Sequence, residues 1–315
     1  MAASFPGSTL ASGLTHSGFH SACLNWALVP SLSTDNKTDS STTTPDPLFH
    51  YSQALSSPLP AKFMELHANS VQHYPATANK TVSDLQGQFL RLLMRMTRPR
   101  RVLELGCFMG YSAMAMADGM ASNGVLYTCE KDTQAAQLAR ELFDKQGYIG
   151  KSGKATIELL EGDAMASLET LAKNQLQFDA IFIDADKGGY IKYFEHIMDN
   201  GLLSKDGYIL ADNILFRGMV LNSNTSGLPS PPPSPTLSPT DEEASKKRSK
   251  SSLQKTANHM DAFNRHVRSD PRVEVVVLPV FDGLSVIMHK STYAAGSEKF
   301  SGHLDEANTD KGGFV

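Results

Sequence analysis

Two short apolar runs end abruptly in oxygen-bearing side chains: Phe182-Ile183-Asp184-Ala185-Asp186-Lys187 and Ile209-Leu210-Ala211-Asp212-Asn213. Each reads as a buried parallel strand, and open α/β sheets bind ligands beyond the carboxyl ends of their strands. Asp184, Asp212 and Asn213 can therefore converge on one hard cation beside Lys187. An all-oxygen set suits Mg²⁺, with Mn²⁺ or Ca²⁺ as alternatives, better than zinc. Taken singly, an Asp at a strand end is as well explained by helix capping, and a lysine by solvation. Only the pairing of the two ends points to a chemical site. Asp186 reads as a capping or supporting residue and stays outside the catalytic set.

A second group precedes these runs. The loop Glu104-Leu105-Gly106-Cys107-Phe108-Met109-Gly110-Tyr111-Ser112 follows an apolar strand and opens a helix. Its glycines let the backbone approach a ligand at a helix N-terminus. Their spacing is not the G-x-G-x-x-G of dinucleotide folds, and Glu104 would repel a pyrophosphate while suiting a cationic amine. The next strand ends in Glu130, where a carboxylate can accept both hydroxyls of a ribose. Gly162-Asp163-Ala164, after the third strand, falls where an adenine would lie. An amine, a ribose and an adenine together describe S-adenosylmethionine. A nicotinamide-dependent oxidoreductase on the same kind of sheet, an aminopropyl transferase and a non-catalytic cofactor-binding module are the alternatives. The glycine spacing and the lack of a Tyr-x-x-x-Lys proton donor weigh against the first, Glu104 against the second, and the intact acid, amide and lysine set against the third.

The elements that carry these residues alternate. Leu85, Phe89, Leu92, Leu93 and Met96 recur at helical spacing, and Thr97-Arg98-Pro99 closes that helix. Strands are expected over 101–105, 125–129, 155–160, 178–183 and 207–211. Helices are expected between them over 111–120, 133–146, 168–174 and 190–198. A helix over 253–267 and strands over 273–278 and 284–289 follow, with the hairpin signal Phe281-Asp282-Gly283 between the strands. This pattern predicts a doubly wound, mostly parallel α/β sheet of seven strands, one of them antiparallel, with helices on both faces.

Composition bounds the rest. Hydrophobic residues make up 41% of the 315-residue chain, and the net charge of −4 gives no reason to expect nucleic acid or an anionic membrane as partner. No apolar run approaches the roughly 18 to 20 residues of a membrane span. The three cysteines, Cys23, Cys107 and Cys129, are too scattered for a disulfide framework or a zinc site, which fits a reducing, cytoplasmic setting. A Ser- and Gly-rich start faintly resembles a transit peptide, but no Arg or Lys precedes Lys37. Residues 1–50 are expected to be a disordered extension, 51–290 the folded domain, 222–252 a disordered Pro/Ser-rich insertion within it, and 291–315 a flexible tail.

With Gln86-Gly87-Gln88-Phe89-Leu90, Glu104-Leu105-Gly106, Gly110-Tyr111-Ser112, Asp184-Ala185-Asp186-Lys187 and Asp212-Asn213 in one order, the chain resembles the cation-dependent class I O-methyltransferases. It is most similar to the caffeoyl-CoA O-methyltransferase family. The resemblance implies a Rossmann-like methyltransferase fold and S-adenosylmethionine bound by Glu104, Gly106, Ser112, Glu130 and Ala164, with Val82 at its amino-acid end. Cys107 joins them by position alone, a small buried residue being its plainer reading. Asp184, Asp212 and Asn213 match the family's metal ligands, Asp184 also lying near the cofactor, and Lys187 matches its general base. The implied reaction is metal-dependent methylation of a hydroxyl on a small phenolic acceptor, catechol-like or hydroxycinnamoyl, with a CoA thioester as one form. A homodimer is expected from the family's habit. Where plant members carry Trp and Asn after the metal ligands, this chain has Phe216 and Arg217, so acceptor contacts should differ. Tyr190 and Tyr193 could line the acceptor pocket but read more simply as packing residues.

Overall fold

The computed structural model describes residues 47–77, 80–150, 153–223 and 241–290. The chain divides into two compact units between Ser52 and Gln53. Helix α1 (Pro47–Leu55) crosses that boundary with no buried residue. It starts inside the stretch 1–50 expected to lack order, and Pro47 stands at its first position, where a missing N–H and a fixed φ cost nothing. Residues 1–46 and 291–315 lie outside the described residues.

Helices α2 (Lys62–His73) and α3 (Asp84–Thr97) lead into the alternation β1 (Arg101–Leu105), α4 (Tyr111–Gly119), β2 (Val125–Glu130), α5 (Thr133–Lys145), β3 (Thr156–Glu161), α6 (Ala164–Lys173), β4 (Phe178–Ile183), α7 (Tyr190–Asp199) and β5 (Leu203–Asp212). A 3₁₀ turn (Met219–Asn222), helix α8 (Asp241–Ser269), β6 (Val273–Leu278) and β7 (Leu284–His289) complete the order. The sheet has seven strands in the order β3-β2-β1-β4-β5-β7-β6. β7 alone runs antiparallel, to both β5 and β6. The expected architecture, with one reversed strand from the Phe281-Asp282-Gly283 hairpin, is therefore what the chain forms.

Helix α8 corrects one expectation. It begins at Asp241, so residues 241–252 are helical rather than part of a loop reaching Ser252. Residues 224–240 lie outside the described residues. No described helix is long and apolar enough to cross a membrane.

The pleat of the central strands sorts their side chains onto two cores. Val102, Leu126, Ala180, Phe182, Tyr208 and Leu210 face one core, with helices α2, α3 and α4. Leu103, Leu105, Ile181, Ile183, Ile209 and Ala211 face the other, with α7 and α8. Each fully buried aliphatic or aromatic side chain contributes roughly 1.5–3 kcal/mol, so these runs tolerate no one-residue slip. Alternation then fixes the strand-end acids: Glu104, Asp184 and Asp212 continue the first face, beneath α3 and α4.

Candidate active site

Strand register brings the site together. Leu105 pairs with Ile183, and Ile183 with Ala211. The next residue on each strand, Gly106, Asp184 and Asp212, thus sits in one row at the carboxyl edge. Gly106 has φ +100°, and a Cβ there would lie 2.3 Å from the carbonyl oxygen of Asp184. Any other residue would push the glycine loop off the end of β4. The Asp184 N–H donates to the Leu105 carbonyl at 2.9 Å, continuing the same seam.

On the β1–β2 side the register pairs Glu104 with Thr128. The Thr128 hydroxyl accordingly donates to Glu104 Oε2. Glu104 is completely buried, and its Oε1 has no hydrogen-bond partner among the described residues. Burial pushes its pKa up to about 8, against the Ser112 and Thr128 hydroxyls that favour the ionised form. A buried acceptor without a donor is costly, so this atom fits a cationic amine. Glu130 at the end of β2 holds the glycine loop: Oε2 accepts from the Phe108 N–H at 2.6 Å and Oε1 from the Asp132 N–H at 2.8 Å. A carboxylate has about four lone-pair sites, so it can still take ribose hydroxyls. Ala164 opens α6 behind the capping Asp163 and is half-buried. Val82 is a half-buried member of the first core. Cys107 is buried with its thiol pKa pushed well up by burial, as a packing residue would be.

The β4–β5 side is crowded with charge. Lys187 Nζ donates to Asp184 Oδ1 at 2.7 Å and to the Tyr190 hydroxyl at 2.9 Å. The Tyr190 hydroxyl lies 3.0 Å from the Ile183 carbonyl and 3.1 Å from that of Asp212, and its proton is shared between them. It thus ties the ends of β4 and β5 together. Asp212 is 1% exposed. Its Oδ2 accepts from Gln86 Nε2 at 2.8 Å, and its Oδ1 from the Asn213 N–H at 2.8 Å. Burial, with the Asp184 carboxylate second, pushes its pKa up to about 7. Asp184 is also raised, by burial, against the pull of Lys187. Two carboxylates that repel each other, Asp212 buried and Asp184 half-buried, with an amide side chain beside them, fit a divalent cation. Among the described residues no three His, Cys, Asp or Glu side chains converge, so the candidate site rests on Asp184, Asp212 and the half-buried Asn213.

Lys187 departs from the neutral base that its role requires. Burial would lower its pKa, but Tyr190 and Asp184 outweigh it and hold the ammonium form. Tyr190, read from sequence as packing, is therefore also a partner of the site. Tyr193, by contrast, donates to Asp186. Beyond Asn213 (φ 58°) the backbone again turns left-handed at Phe216 and Arg217. The Arg217 N–H donates to Asp282 of the β6–β7 turn, whose Phe281 packs against Phe89 with ring centroids 5.8 Å apart.

The chain matches a family model described as O-methyltransferase over residues 53–229. It is 34% identical over 245 residues to the O-methyltransferase ankF of Aspergillus thermomutatus, covering 76% of this chain and 92% of that one. Caffeoyl-CoA O-methyltransferase 5 of Nicotiana tabacum is 28% identical over 72% of this chain and 83% of its own. Among solved structures, the SAH-bound methyltransferase PaMTH1 of Podospora anserina superposes with a TM-score of 0.65 at 31% identity, covering 82% of this chain and all of that one.

Proposed function

The chain belongs to this O-methyltransferase family and is an S-adenosylmethionine-dependent enzyme, and from that premise we propose cation-dependent methylation of one hydroxyl on a small catechol-like or hydroxycinnamoyl acceptor. The observation that carries the reading is the adjacency of Glu104, with its unpartnered Oε1, to the Asp184–Asp212 pair across Gly106. An amine acceptor and a cation site then share one edge, as donor and acceptor must for direct transfer.

S-adenosylmethionine supplies the methyl group, and the chain's task is to hold it. Glu104 would take the ammonium end, with Ser112 and the Gly106 loop beside it and Val82 at the amino-acid portion; Glu130 would take the ribose hydroxyls, and Ala164 would lie at the adenine. A divalent cation held by Asp184, Asp212 and Asn213, with Mg²⁺ as first choice, would position an acceptor hydroxyl and lower its pKa. Lys187 engages only Oδ1 of Asp184, so the same carboxylate could hold a cation close to the ammonium. Beside a divalent charge the Lys187 ammonium would have a lower pKa, so that Nζ would release its proton to solvent and stand neutral, able to take one from the acceptor. The acceptor oxygen gives its proton to Lys187 Nζ and bonds to the methyl carbon as the sulfonium S–C bond breaks. A methyl ether, S-adenosylhomocysteine and the proton on Lys187 result. Phe216, Arg217 and Phe281 flank the acceptor side.

The test is an assay over catechols, flavonoids and hydroxycinnamoyl thioesters with S-adenosylmethionine, with Mg²⁺ or with chelator, in the parent and Asp212→Ala. The expected result is turnover with at least one vicinal diol that chelator and Asp212→Ala abolish. Turnover untouched by both would sink the cation role. A homodimer is proposed from the resemblance alone, and sedimentation of the purified chain checks it.

A further inference from the structure

We propose that Gln86 is a positioning residue for the cation site, fixing the rotation of the Asp212 carboxylate; this rests on the cation reading above. Helix α3 begins with Ser83 as N-cap, its hydroxyl accepting from the Gln86 N–H at 3.2 Å. Ser at the cap with Gln three residues on is the spacing of a capping box, in which the Gln side chain turns back to its own helix. Here the amide nitrogen donates instead to Asp212 Oδ2, 126 residues away in sequence. Gln86 is 5% exposed, a deep burial for an amide whose helix could be capped by Ser83 alone.

The surroundings hold the amide on target. Asp84 accepts from the Tyr111 hydroxyl, so the first turn of α3 is fastened to the start of α4. Gly87 lets that turn lie against the Tyr111 ring, where a Cβ would come within 2.8 Å of Cε1. Ser112, the next residue, belongs to the cofactor loop. One helical turn therefore touches the loop that opens α4 and the last residue of β5. Gln86 donates to Oδ2 and the Asn213 N–H to Oδ1, which fixes the plane of the carboxylate and leaves each oxygen a further lone pair for a cation. A neutral amide suits this task. A cationic donor would compete with the ion, and an apolar residue would leave Asp212 free to rotate. Outer partners of this kind orient metal ligands, and their loss lowers metal affinity by roughly 10- to 100-fold.

The experiment measures Mn²⁺ binding, by calorimetry and by the spin-resonance signal of free Mn²⁺, in the parent, Gln86→Leu, Gln86→Met and Asp212→Ala, each with SAH bound. Gln86→Met matches the length of the amide and keeps the test alive if Gln86→Leu does not fold. The expected result is an Mn²⁺ Kd raised roughly 10- to 100-fold in the Gln86 variants, an SAH Kd close to the parent's, and turnover that recovers at saturating Mn²⁺. An unchanged Mn²⁺ Kd in the Gln86 variants, with binding lost in Asp212→Ala, overturns this inference and leaves the cation reading intact. A parallel loss of SAH affinity also overturns it, because the defect would then be a general collapse of the edge. Mn²⁺ binding absent from the parent, or equal in Asp212→Ala, overturns the cation reading and this inference with it.

Discussion

The ends of β1 and β2 and the ends of β4 and β5 meet at Gly106, yet they are assembled by different means. Around Glu130 the main chain does the work: two loop N–H groups land on its carboxylate, and Gly106 and Cys107 donate to the Cys129 carbonyl. Around Asp184 and Asp212 most links are side chains: Lys187 on Asp184, Gln86 on Asp212 and Tyr190 on the Lys187 ammonium and the strand-end carbonyls, with the Asn213 N–H beside them. The first half keeps a buried acceptor, Glu104 Oε1, that has no partner among the described residues. The second satisfies its acids locally with Lys187 and Gln86. A half with an unspent acceptor is suited to bind a charged group, whereas one that holds a proton between an acid and an amine is suited to move it.

Changing one half at a time tests that division. The largest effect is expected from Lys187→Met, which removes the proton acceptor: kcat should fall by roughly 10²- to 10⁴-fold, with SAH affinity retained. A kcat near the parent's would show that water or the acceptor itself disposes of the proton. Glu104→Gln comes next. Losing a charged hydrogen bond worth about 1.5–3 kcal/mol should weaken S-adenosylmethionine binding roughly 10- to 150-fold while Mn²⁺ affinity holds. Equal losses of both would mean that the halves are not separable.

Glu104 should also mark the stability of the ligand-free protein. Its pKa stands at about 8 in the fold against 4.5 in the unfolded chain, so the fold binds its proton more tightly. That contribution is complete below the unfolded value and is lost as pH rises toward 8, by about 1.4 kcal/mol per pH unit within the window. Asp212, pushed up to about 7, adds a decline that ends earlier. The melting temperature should therefore drop on going from acid to mildly alkaline buffer. In Glu104→Gln the slope should be shallower and level off near neutrality. A slope identical in parent and variant would assign the decline to other groups.

The sequence reveals these two halves unequally. Glu130, Asp184 and Asp212 each terminate an apolar run and Glu104 stands one residue inside the end of another, so a period of two and the rule of carboxyl ends suffice to find them. Gln86 and Tyr190 lie on helices, where the next turn could absorb a polar side chain, and only the tertiary approach of α3 and α7 to the strand ends gives them partners. The same limit hides whole elements. Helix α2 buries Phe63, Leu66 and Ser70 along a mostly polar segment, too thin a stripe to read. The first half of β5 carries exposed Lys205 and Asp206 and a register shift opposite Phe178 and Ala180, which masks its start at Leu203. Helix α8 shows its apolar period only at Ala257, Met260, Phe263 and Val267, so its beginning is invisible to periodicity.

The smallest expected effects come from two tyrosines one turn apart, and their difference is the finest test of the division. Both are buried, and each gives its hydroxyl to this edge of the sheet. Tyr190 accepts from Lys187 and bridges the carbonyls of Ile183 and Asp212, whereas Tyr193 donates only to the exposed Asp186. Replacing Tyr190 by Phe takes one of two partners from the Lys187 ammonium and a donor from two buried carbonyls. It should lower kcat roughly tenfold and cost about 1–3 kcal/mol of stability. Tyr193→Phe deletes the same atom from the same helix and should cost about 1 kcal/mol with kcat unchanged. Steady-state kinetics and denaturant melts on the pair separate the outcomes. If both variants lose activity alike, the edge responds as one packed unit, and the role given to Tyr190 reduces to holding α7 in place. If only Tyr190→Phe does, the geometry at Lys187 Nζ controls the rate, because packing and helix position are common to both changes.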